Sequence, residues 1–361
     1  MVGVVGPLFT VPPRSSSVPM SLACSRNSLW GAAPRAQVYD EPRMALPDVG
    51  GDDVKIAVFG TGGVGGYFGG RLARAGADVH LIARGNHLQS LRDEGLRVRS
   101  VTGDFEVALP ATDDPSDIGP CDFVFFTVKS FHTESAASQL PPLIGADTAV
   151  VSFQNGVDNE SKIASAVGDP HVMGGIAYIF AEIAEPGVIA HTGGPATLVF
   201  GEMDGTRSER GELLLKQCSE AGIGAELSEN IRAGLWSKFA FICAMAGTTS
   251  VVRLPLGEIR STAESWALFR RILEEVHSVA AAEGVALPSD TPARQLAFAE
   301  SLEPGGYSSL HFDMTHGRPM ELEALHGTVV RLGRKNGVPI PMTEAVYAML
   351  KPWAVRNKTP D

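Results

Sequence analysis

A glycine-rich loop between a short apolar segment and a helical one is the feature that most constrains this fold. The apolar run Lys55–Phe59 is followed by Gly60-Thr61-Gly62-Gly63-Val64-Gly65, which has the spacing G-x-G-x-x-G. Residues 64–75 then predict a helix that ends before Gly76. A strand, this loop and a helix in direct succession are typical of a parallel sheet that binds the diphosphate of a dinucleotide.

Each glycine of the loop has its own expected task. Gly60 permits a sharp turn, Gly62 lets the backbone approach a diphosphate, and Gly65 lets the helix pack closely on the strand. The N–H groups at the helix start, from Gly63 and Val64, are expected to face the diphosphate, whose charge the helix dipole favours. A flexible loop without a ligand is the alternative, but the position between strand and helix favours a dinucleotide.

The residues after the second predicted strand indicate which nicotinamide cofactor binds. NAD sites usually carry Asp or Glu at this place, whereas this chain has Ala83-Arg84-Gly85-Asn86. Arg84 is placed to pair with a ribose 2′-phosphate, so NADPH is the expected cofactor. The alternative is that Arg84 is a solvated surface residue. Lys129 follows the strand predicted at 121–128, at the same edge of the sheet, and is expected to help hold the cofactor.

Strand patterns and helix patterns alternate up to about residue 201, after which the pattern is helical nearly to the end. Strands are predicted at 55–60, 78–83, 96–100, 104–108, 121–128, 148–153, 172–180, 187–191 and 197–201. Helices are predicted at 64–75, 86–94, 131–140, 207–221, 231–246, 263–284, 308–315, 319–336 and 342–350. The predicted fold class is α/β: a Rossmann-type doubly wound parallel sheet in residues 54–205, then an all-helical C-terminal domain for substrate binding or dimerisation in residues 206–361.

The composition and the acidic net charge exclude several classes of protein. The 361 residues are 44% hydrophobic and 20% charged, and 30 basic against 41 acidic residues give a net charge of −11. This charge disfavours general binding to nucleic acid or to anionic membranes. The longest uncharged stretches, 239–252 and 186–201, are too short or too broken by Pro and Gly to span a bilayer.

The four cysteines predict neither disulfides nor a zinc site, because they lie far apart and form no C-x-x-C pair. They are expected to be free buried thiols in a reducing compartment. They are Cys24, Cys121, Cys218 and Cys243.

Residues 1–53 are not expected to belong to the fold. The first 39 residues contain no Asp or Glu, and three arginines and six serines lie among them. Such a composition is typical of an organellar transit peptide, and a disordered extension or a wrongly assigned start codon fits it as well. The expected location is the cytoplasm, or the chloroplast or mitochondrion if the segment is a transit peptide.

Lys238 is the leading candidate for a catalytic acid. It lies in Leu235-Trp-Ser-Lys-Phe-Ala-Phe-Ile-Cys-Ala-Met-Ala246, where nearly every other residue is apolar, as in a buried helix. Burial lowers the pKa of a lysine toward the range of a general acid that works near neutral pH. The alternative is a lysine at the edge of the helix, with its stem on apolar surface and its amine in water.

Other polar residues have a structural and a functional interpretation. Asn155 follows a predicted strand and suits either a substrate contact or an Asn-Gly turn. Of Ser308 and Ser309, one is expected to cap a helix. Glu321, early in a predicted helix, suits a pairing with the helix dipole. A metal site is not expected, because His311, Asp313 and His316 lack the i, i+4 spacing and a further ligand.

Taken together, these motifs resemble the ketopantoate reductases (2-dehydropantoate 2-reductases) over residues 55–351. Their order and spacing are far more specific than the glycine loop by itself. The motifs are G-T-G-G-V-G-G at 60–66, A-R-G-N-H-L at 83–88, V-K-S at 128–130, F-Q-N-G at 153–156, W-S-K-F at 236–239, S-S-L-H-F-D at 308–313 and M-E at 320–321.

The resemblance implies a role for each candidate residue. Lys238 would protonate the substrate oxygen, and Glu321 would orient that lysine and contact the substrate hydroxyl. Ser309 would bind the substrate carboxylate, and Asn155 would contact nicotinamide and substrate. The cofactor phosphates would be bound by Arg84 and Lys129. The active site would lie in the cleft between the two domains.

One departure from the family pattern concerns the substrate. Well-characterised members carry asparagines at i+4 and i+8 from the lysine, where this chain has Ile242 and Ala246, so this end of the pocket is expected to be more apolar. The resemblance implies NADPH-dependent reduction of a small 2-oxo acid, first of all ketopantoate to (R)-pantoate, a precursor of pantothenate and coenzyme A.

Two other functions stay open. One is a 3-hydroxyacid dehydrogenase-like enzyme, and the other is an NADP-binding protein without turnover, against which the joint presence of Lys238 and Glu321 counts. The expected partner is a small-molecule substrate, with no nucleic acid and no membrane, and a homodimer is left open.

Overall fold

The computed structural model describes residues 54–358. The segment predicted as a disordered extension or transit peptide, residues 1–53, lies outside the described residues, as does Cys24. Within the described range the strands join into one sheet. They are β1 (Lys55–Phe59), β2 (Asp78–Ile82), β3 (Leu96–Ser100), β4 (Phe105–Val107), β5 (Ala111–Thr112), β6 (Cys121–Phe126), β7 (Ile144–Ser152), β8 (Val172–Glu185), β9 (Val188–Glu202) and β10 (Gly224–Leu227).

The helices cover both faces of this sheet and then form the C-terminal part. They are α1 (Gly63–Arg74), α2 (Gly85–Glu94), α3 (Thr133–Ala137), α4 (Asn159–Val167), α5 (Glu209–Glu220), α6 (Ile231–Val252), α7 (Leu256–Ser261), α8 (Ala263–Ala282), α9 (Thr291–Ser301), α10 (Ser309–Thr315), α11 (Thr328–Asn336) and α12 (Pro341–Arg356). A π-helical turn, Glu323–Gly327, precedes α11.

The predicted doubly wound sheet is confirmed. The strand order is β4-β3-β9-β8-β7-β6-β1-β2-β5, with β10 paired to β9, and the strands from β8 to β5 in this order are parallel to their neighbours. One face packs on α1 and α5 through residues such as Phe68 and Leu214, and the other on α3 and α4 through Ala136 and Ile163. Since β6 and β7 are covered on both faces, their central stretches, residues 123–126 and 149–151, are continuously apolar and buried rather than alternating.

The position of β1 fixes where ligands gather. It pairs in parallel with β2 on one side and with β6 on the other. The connections that follow β1 and β6 therefore lead to opposite sides of β1 in the sheet. The loops after β1 and β6 diverge to opposite faces and leave a crevice at the carboxyl edge of the sheet. The glycine-rich loop and residues 127–132 line this crevice from the two sides.

The three strands predicted between 172 and 201 are in fact two long strands, β8 and β9. They form an antiparallel hairpin whose register shifts near Tyr178 and Phe180. Gly193 and Gly194, which fall between the strands predicted at 187–191 and 197–201, lie inside β9, where Gly194 has φ +84°. Such an irregularity bends the strand. The first half of β9 pairs with β3 and the second half with β10, so the sheet continues to Leu227.

The C-terminal part is a bundle around α6. That helix packs on α8, α10 and α12, and its apolar core includes Phe239, Phe269 and Val346. It is 22 residues long, six more than predicted, and in the added turns Thr248 and Thr249 donate their hydroxyls to the carbonyls of Ala244 and Met245. Among the described residues, α6 alone is long and apolar enough to cross a bilayer, but 67% of its apolar window is buried inside the protein.

The helix predictions need further correction. The predicted helix 319–336 is a turn at Glu321, then the π-helical turn, then α11. Helices α4, α7 and α9 were not predicted. Helix α4 is short and follows an Asn-Gly turn signal, and α9 follows a loop rich in Pro, Ser and Asp, so neither has a long apolar period.

The glycines of the loop after β1 predict opposite effects on stability. A Cβ at Gly65 would lie 2.4 Å from Thr127 Oγ1 and 2.7 Å from Val58 Cγ1, whereas a Cβ at Gly62 would meet nothing within 4 Å. We expect Gly65→Ala to lower the free energy of unfolding by about 1–3 kcal/mol, as overpacked cores do. Gly62→Ala should leave it nearly unchanged. Urea unfolding followed by circular dichroism measures both, and equal stability of the two variants would contradict the packing argument.

Candidate active site

The glycine-rich loop has a fixed shape before any ligand binds. The N–H groups of Gly60 and Thr61 both donate to the carbonyl of Ile82, at the end of β2, each over 3.1 Å. His87 holds the loop from another side: its Nε2 donates to the Thr61 carbonyl (2.8 Å), and its Nδ1 accepts from the N–H of Gly187 (3.0 Å). Burial lowers the pKa of His87, which favours the neutral ring that these two bonds require.

The start of α1 suits an anion. No side chain caps this helix, and its first turn contains no acidic residue. Its N–H groups are therefore open to a negatively charged group, which the helix dipole also favours. The free space above Gly62 admits the backbone approach that a diphosphate needs. The residues present fit a dinucleotide.

Arg84 stands at the carboxyl end of β2, where it caps α2 with its backbone. The side chain is exposed, and its guanidinium donates to Gln139 Oε1 over 3.3 Å. Ala83 is buried beside it, so no carboxylate occupies this position of the strand end. The place is the one expected from the sequence for a group that binds a ribose 2′-phosphate.

Lys129 faces two carboxylates of the C-terminal part. Its Nζ lies 3.1 Å from Glu321 Oε2 and 3.7 Å from Asp313 Oδ2. Partial burial opposes the charge of Lys129, but the two carboxylates outweigh it and raise the pKa of the amine. The sequence assigned this lysine to the cofactor alone, whereas the structure ties it to the opposite wall of the cleft.

Glu321 is held by the loop after β6. Its Oε1 accepts from the N–H of Ser130 (2.9 Å) and from its hydroxyl (2.8 Å), and Oε2 contacts Lys129. Burial opposes the charge of this carboxylate, but Lys129 and the Ser130 bonds hold its pKa below the usual value. The carboxylate thus stays ionised. It is bonded to the loop after β6 in this structure rather than to Lys238, the partner implied by the resemblance.

Lys238 and Asn155 meet across the cleft. The Nζ of Lys238, on α6, donates to Asn155 Oδ1 over 3.0 Å and to the carbonyl of Ala177, on β8, over 2.9 Å. The amine also lies 5.6 Å from the ring centre of Tyr178. Burial lowers the pKa of Lys238 to about 8, although Glu321 acts in the opposite direction. The structure therefore favours the buried interpretation of this lysine over the amine in open water.

The two serines divide their tasks. Ser308 is buried and caps α10: its Oγ accepts from the N–H of His311 (3.1 Å) and bonds the hydroxyl of Thr249 on α6 (2.8 Å). Ser309 is the first residue of α10 and is exposed. The same short helix carries Asp313, which faces Lys129, so α10 is anchored to both walls of the cleft.

The residues once considered for a metal have other partners. His311 Nδ1 donates to the Thr249 carbonyl, and His316 Nδ1 donates to that of Phe312. In the part of the chain that the structure covers, no group of three or more His, Cys, Asp or Glu side chains is arranged to hold a metal ion. Cys121, Cys218 and Cys243 are buried and free, and burial raises the pKa of each thiol.

Ile242 and Ala246 lie one and two turns beyond Lys238 on α6. Ile242 is half-buried and Ala246 is buried, and both pack with the apolar core of the C-terminal part. Since residues four apart share a face of a helix, Ile242 lies on the same face of α6 as Lys238, one turn nearer to α10. The wall between the amine and the start of α10 is accordingly apolar at this position.

Sequence reasoning missed three residues of the site. Ser130 binds Glu321, His87 holds the glycine loop, and Asp313 faces Lys129. Ser130 and His87 stand inside motifs that carry the resemblance, which was the available signal. Asp313 ends the motif S-S-L-H-F-D, but the only role considered for it was that of a metal ligand, because nothing in the sequence pairs it with a residue 184 positions earlier.

Two family models match the chain. The model described as "Ketopantoate reductase PanE/ApbA" matches residues 56–205, and the one described as "Ketopantoate reductase PanE/ApbA C terminal" matches residues 230–354. Together they cover more than half of the 361 residues. The match to both halves in this order agrees with the sheet part and the helical part described above.

Individual relatives agree with the family models. The chain is 31% identical to the 2-dehydropantoate 2-reductase of Mesorhizobium japonicum over 331 residues, covering 84% of this chain and 99% of that protein. A PanE/ApbA family ketopantoate reductase from Ralstonia eutropha JMP134 superposes with a TM-score of 0.78 at 34% identity, covering 85% and 100% of the two chains.

A likeness of the fold extends further. D-mandelate dehydrogenase in complex with NADH and anilino(oxo)acetate also gives a TM-score of 0.78, over 85% of this chain and all of that one, but at 24% identity this shows the fold alone. The two family models and the relatives above 30% identity have a firmer consequence: the chain belongs to the ketopantoate reductase family.

Proposed function

We propose that this member of a family of oxidoreductases reduces a small 2-oxo acid with NADPH, and that 2-dehydropantoate is its substrate and (R)-pantoate its product. One observation carries the proposal. The amine of Lys238 has a pKa lowered by burial to about 8 and is held 3.0 Å from Asn155 Oδ1, in the cleft that the glycine loop borders. An amine with this pKa delivers a proton near neutral pH and recovers it readily.

The proposed chemistry needs a hydride and a proton. When bound, the reduced nicotinamide supplies the hydride to the carbonyl carbon of the substrate. The carbonyl π electrons move to the oxygen, which takes the proton from Lys238 Nζ, and the neutral amine is protonated again by solvent. Asn155 keeps the amine in place through its amide oxygen. The charge of Glu321 favours the ammonium form before the transfer.

The other residues of the site are proposed to bind rather than to react. Ser309, exposed at the start of α10, is proposed to bind the substrate carboxylate by donating its hydroxyl hydrogen, the role that the resemblance implies. Arg84 is proposed to pair with the 2′-phosphate of the cofactor, and Lys129 to reach its phosphates or ribose from the loop after β6. A homodimer stays part of this proposal only as an expectation.

A direct assay tests the proposed function. We expect the purified protein to oxidise NADPH in the presence of ketopantoate, followed by absorbance, and faster than with simple 2-oxo acids such as pyruvate. If no 2-oxo acid and no 3-oxo acid of a broad panel leads to oxidation of NADPH, the result favours the alternative of an NADP-binding protein without turnover. Activity restricted to 3-oxo or 3-hydroxy acids would favour the 3-hydroxyacid dehydrogenase-like alternative.

A second candidate substrate is a 2-oxo acid with an apolar side chain. It is favoured by Ile242 and Ala246, which leave no hydrogen-bonding side chain at these two positions of α6 for a substrate hydroxyl. A hydroxyl that loses its partners in water and gains none in a pocket is bound less well. The assay decides between the candidates through the ratio of kcat/KM for ketopantoate to that for 2-oxoisovalerate.

Substituting Lys238 removes the proposed proton donor. We expect Lys238→Ala to lower kcat by about a hundredfold or more, since general acid catalysis contributes about that much. The fall of activity as pH rises through about 8, where the amine loses its proton, should also disappear. Kinetics and NADPH binding by fluorescence titration check both. Lys335→Ala, which removes an exposed lysine on α11, is the control. An unchanged kcat would rule out the role of Lys238.

Substituting Arg84 tests the cofactor. We expect Arg84→Ala to weaken NADPH binding by about tenfold or more, the usual effect of losing a charge-assisted hydrogen bond, and to leave NADH binding nearly unchanged. Dissociation constants for both nucleotides measure this. Arg92→Ala, on the helix that Arg84 caps but bonded to Ala111 and Asp113, is the control. An equal loss with both nucleotides would refute recognition of the 2′-phosphate.

A substitution in α6 tests the second candidate. Ile242→Asn supplies an amide one turn beyond Lys238 and should raise the preference for ketopantoate over 2-oxoisovalerate by about tenfold or more, because a buried amide rejects an apolar side chain. Ile242→Leu keeps the wall apolar and should keep the ratio of the original protein. If Ile242→Asn leaves the ratio of kcat/KM values unaltered, this position does not contact the substrate side chain.

A further inference from the structure

Two loops of the sheet contact Glu321 and Lys238 of the C-terminal part in the cleft. The loop after β6 gives Lys129 and Ser130 to Glu321, and the loop after β7 gives Asn155 to Lys238. Strands β6 and β7 are parallel neighbours that end side by side, with Phe126 opposite Ser152. Any coupling between the two loops therefore acts at the carboxyl edge of the sheet, directly under the site.

A chain of buried hydrogen bonds joins the two loops. Gln154 Nε2 donates to the carbonyl of Val128 (2.8 Å) and to Thr133 Oγ1 (2.9 Å). The Thr133 hydroxyl donates to Asn159 Oδ1 (3.2 Å), and Asn159 Nδ2 donates to the carbonyl of Asn155 (3.1 Å). The three linking side chains, Gln154, Thr133 and Asn159, are 6%, 1% and 0% exposed.

The direction of each bond in this chain is fixed by its neighbours. The two hydrogens of the Gln154 amide are used by Val128 and Thr133, so the Thr133 hydroxyl must accept there and donate to Asn159. Removal of that single hydroxyl leaves a buried donor on one side and a buried acceptor on the other. Such groups are costly because water does not reach them.

Gly156 shows that the loop after β7 is packed onto the same network. Its φ is +124°, a conformation that favours glycine, and a Cβ there would lie 2.9 Å from Asn159 Nδ2. The amide of Asn159 therefore occupies the space under the Asn155–Gly156 peptide. The carbonyl of Asn155 accepts a hydrogen bond from Asn159, while the side chain of Asn155 accepts one from Lys238.

We propose that Thr133 and Asn159 are positioning residues. Together with Gln154 they lock the loop after β7 in a fixed position relative to the loop after β6. The first loop presents Asn155 to Lys238, and the second binds Glu321. At 1% and 0% exposure, Thr133 and Asn159 are out of reach of a substrate or a cofactor. This inference rests on the proposed function, because the register is relevant to catalysis only if Lys238 is the proton donor. Its effect on the amine itself is measurable without turnover.

The lock has a defined effect on Lys238. The Asn155 amide oxygen stabilises the ammonium form by accepting its hydrogen bond, so a displaced Asn155 lowers the pKa of the amine further. Glu321, before the π-helical turn, and Tyr178, on β8, also face this amine, and the test variants change neither. The ammonium donates the proton during reduction, so the alkaline fall of activity moves to lower pH when Asn155 moves away.

A pair of substitutions at Thr133 tests the proposal. Thr133→Val keeps the shape and removes the hydroxyl, and Thr133→Ser keeps the hydroxyl. We expect Thr133→Val to lower kcat by about ten- to a hundredfold, the size of effect that a misplaced catalytic group produces, and to move the alkaline limb of the pH profile to lower pH. Thr133→Ser should retain the original pH profile. KM for NADPH should change little in both.

Thr148→Val is the control for a merely structural loss. Thr148 is also buried, and its hydroxyl bonds the carbonyls of Cys121 and Leu143 away from the carboxyl edge of the sheet. It should lower thermal stability without moving the pH profile. If Thr133→Val and Thr148→Val change kcat and the pH profile alike, or if Thr133→Val changes neither, the positioning role is wrong.

A readout without substrate separates this inference from the proposed function. The rate at which Lys238 reacts with an amine-labelling reagent, followed by peptide mass spectrometry over pH, reports its pKa in the ligand-free protein. We expect a midpoint near 8 in the original protein and a lower midpoint in Thr133→Val. A lowered midpoint in a protein that reduces no oxo acid would leave the lock standing and remove the reductase function. An unchanged midpoint would overturn the lock whatever the activity.

A second variant covers a failure of Thr133→Val to fold. Gln154→Met has a similar shape but no donors, so it breaks the bonds to Val128 and Thr133 while leaving Thr133 and Asn159 in place. It must lower the labelling midpoint of Lys238 in the same direction. A folded Gln154→Met protein with the original midpoint would contradict the proposal.

Discussion

The contact between Lys238 and Asn155 is the constraint on which the site depends. An ammonium group that is removed from water loses hydration energy unless polar partners replace the water. Here the partners come from the sheet, as the Asn155 amide and the Ala177 carbonyl, while the lysine itself comes from the helical part. The two parts must therefore be apposed for this amine to be both buried and bonded, which ties its pKa to the closure of the fold.

A second contact across the cleft has the opposite electrostatic character. Lys129 and Ser130, from the sheet, meet Glu321 and Asp313, from the helical part, and the charges of Lys129 and Glu321 stabilise each other. The amine of Lys238 is kept easy to deprotonate by burial, whereas the amine of Lys129 is kept charged by its carboxylates. One cleft thus holds two lysines with opposite shifts, one suited to giving up a proton and one suited to holding an anion.

Most elements of the sheet part could be predicted from local sequence patterns. Most of the features that were predicted wrongly or missed depend on contacts between residues far apart in the sequence. Strands β1, β6 and β7 are recognisable because each contains a short apolar run, and the glycine loop is recognisable because it follows β1 directly. The continuity of β9 was not predictable, since Gly193 and Gly194 indicate a turn unless β3 and β10 hold both halves in one sheet. The bond from Ser130 to Glu321 joins residues 191 positions apart, and no local pattern encodes such a pairing.

The π-helical turn Glu323–Gly327 has a consequence for how this site can change over evolution. A π-helical turn contains one residue more than the α-helical turn it replaces. Loss of a single residue from the π-helical turn would restore a regular α-helix. The residues just before the turn would then rotate by about 100° around the helix axis relative to α11. Glu321 lies just before the turn, so one deletion would swing its carboxylate out of the cleft, and the buried side chain of Leu322 would move with it. A lineage could in this way lose the anion from its site in one genetic step, provided that the core around Leu322 repacks.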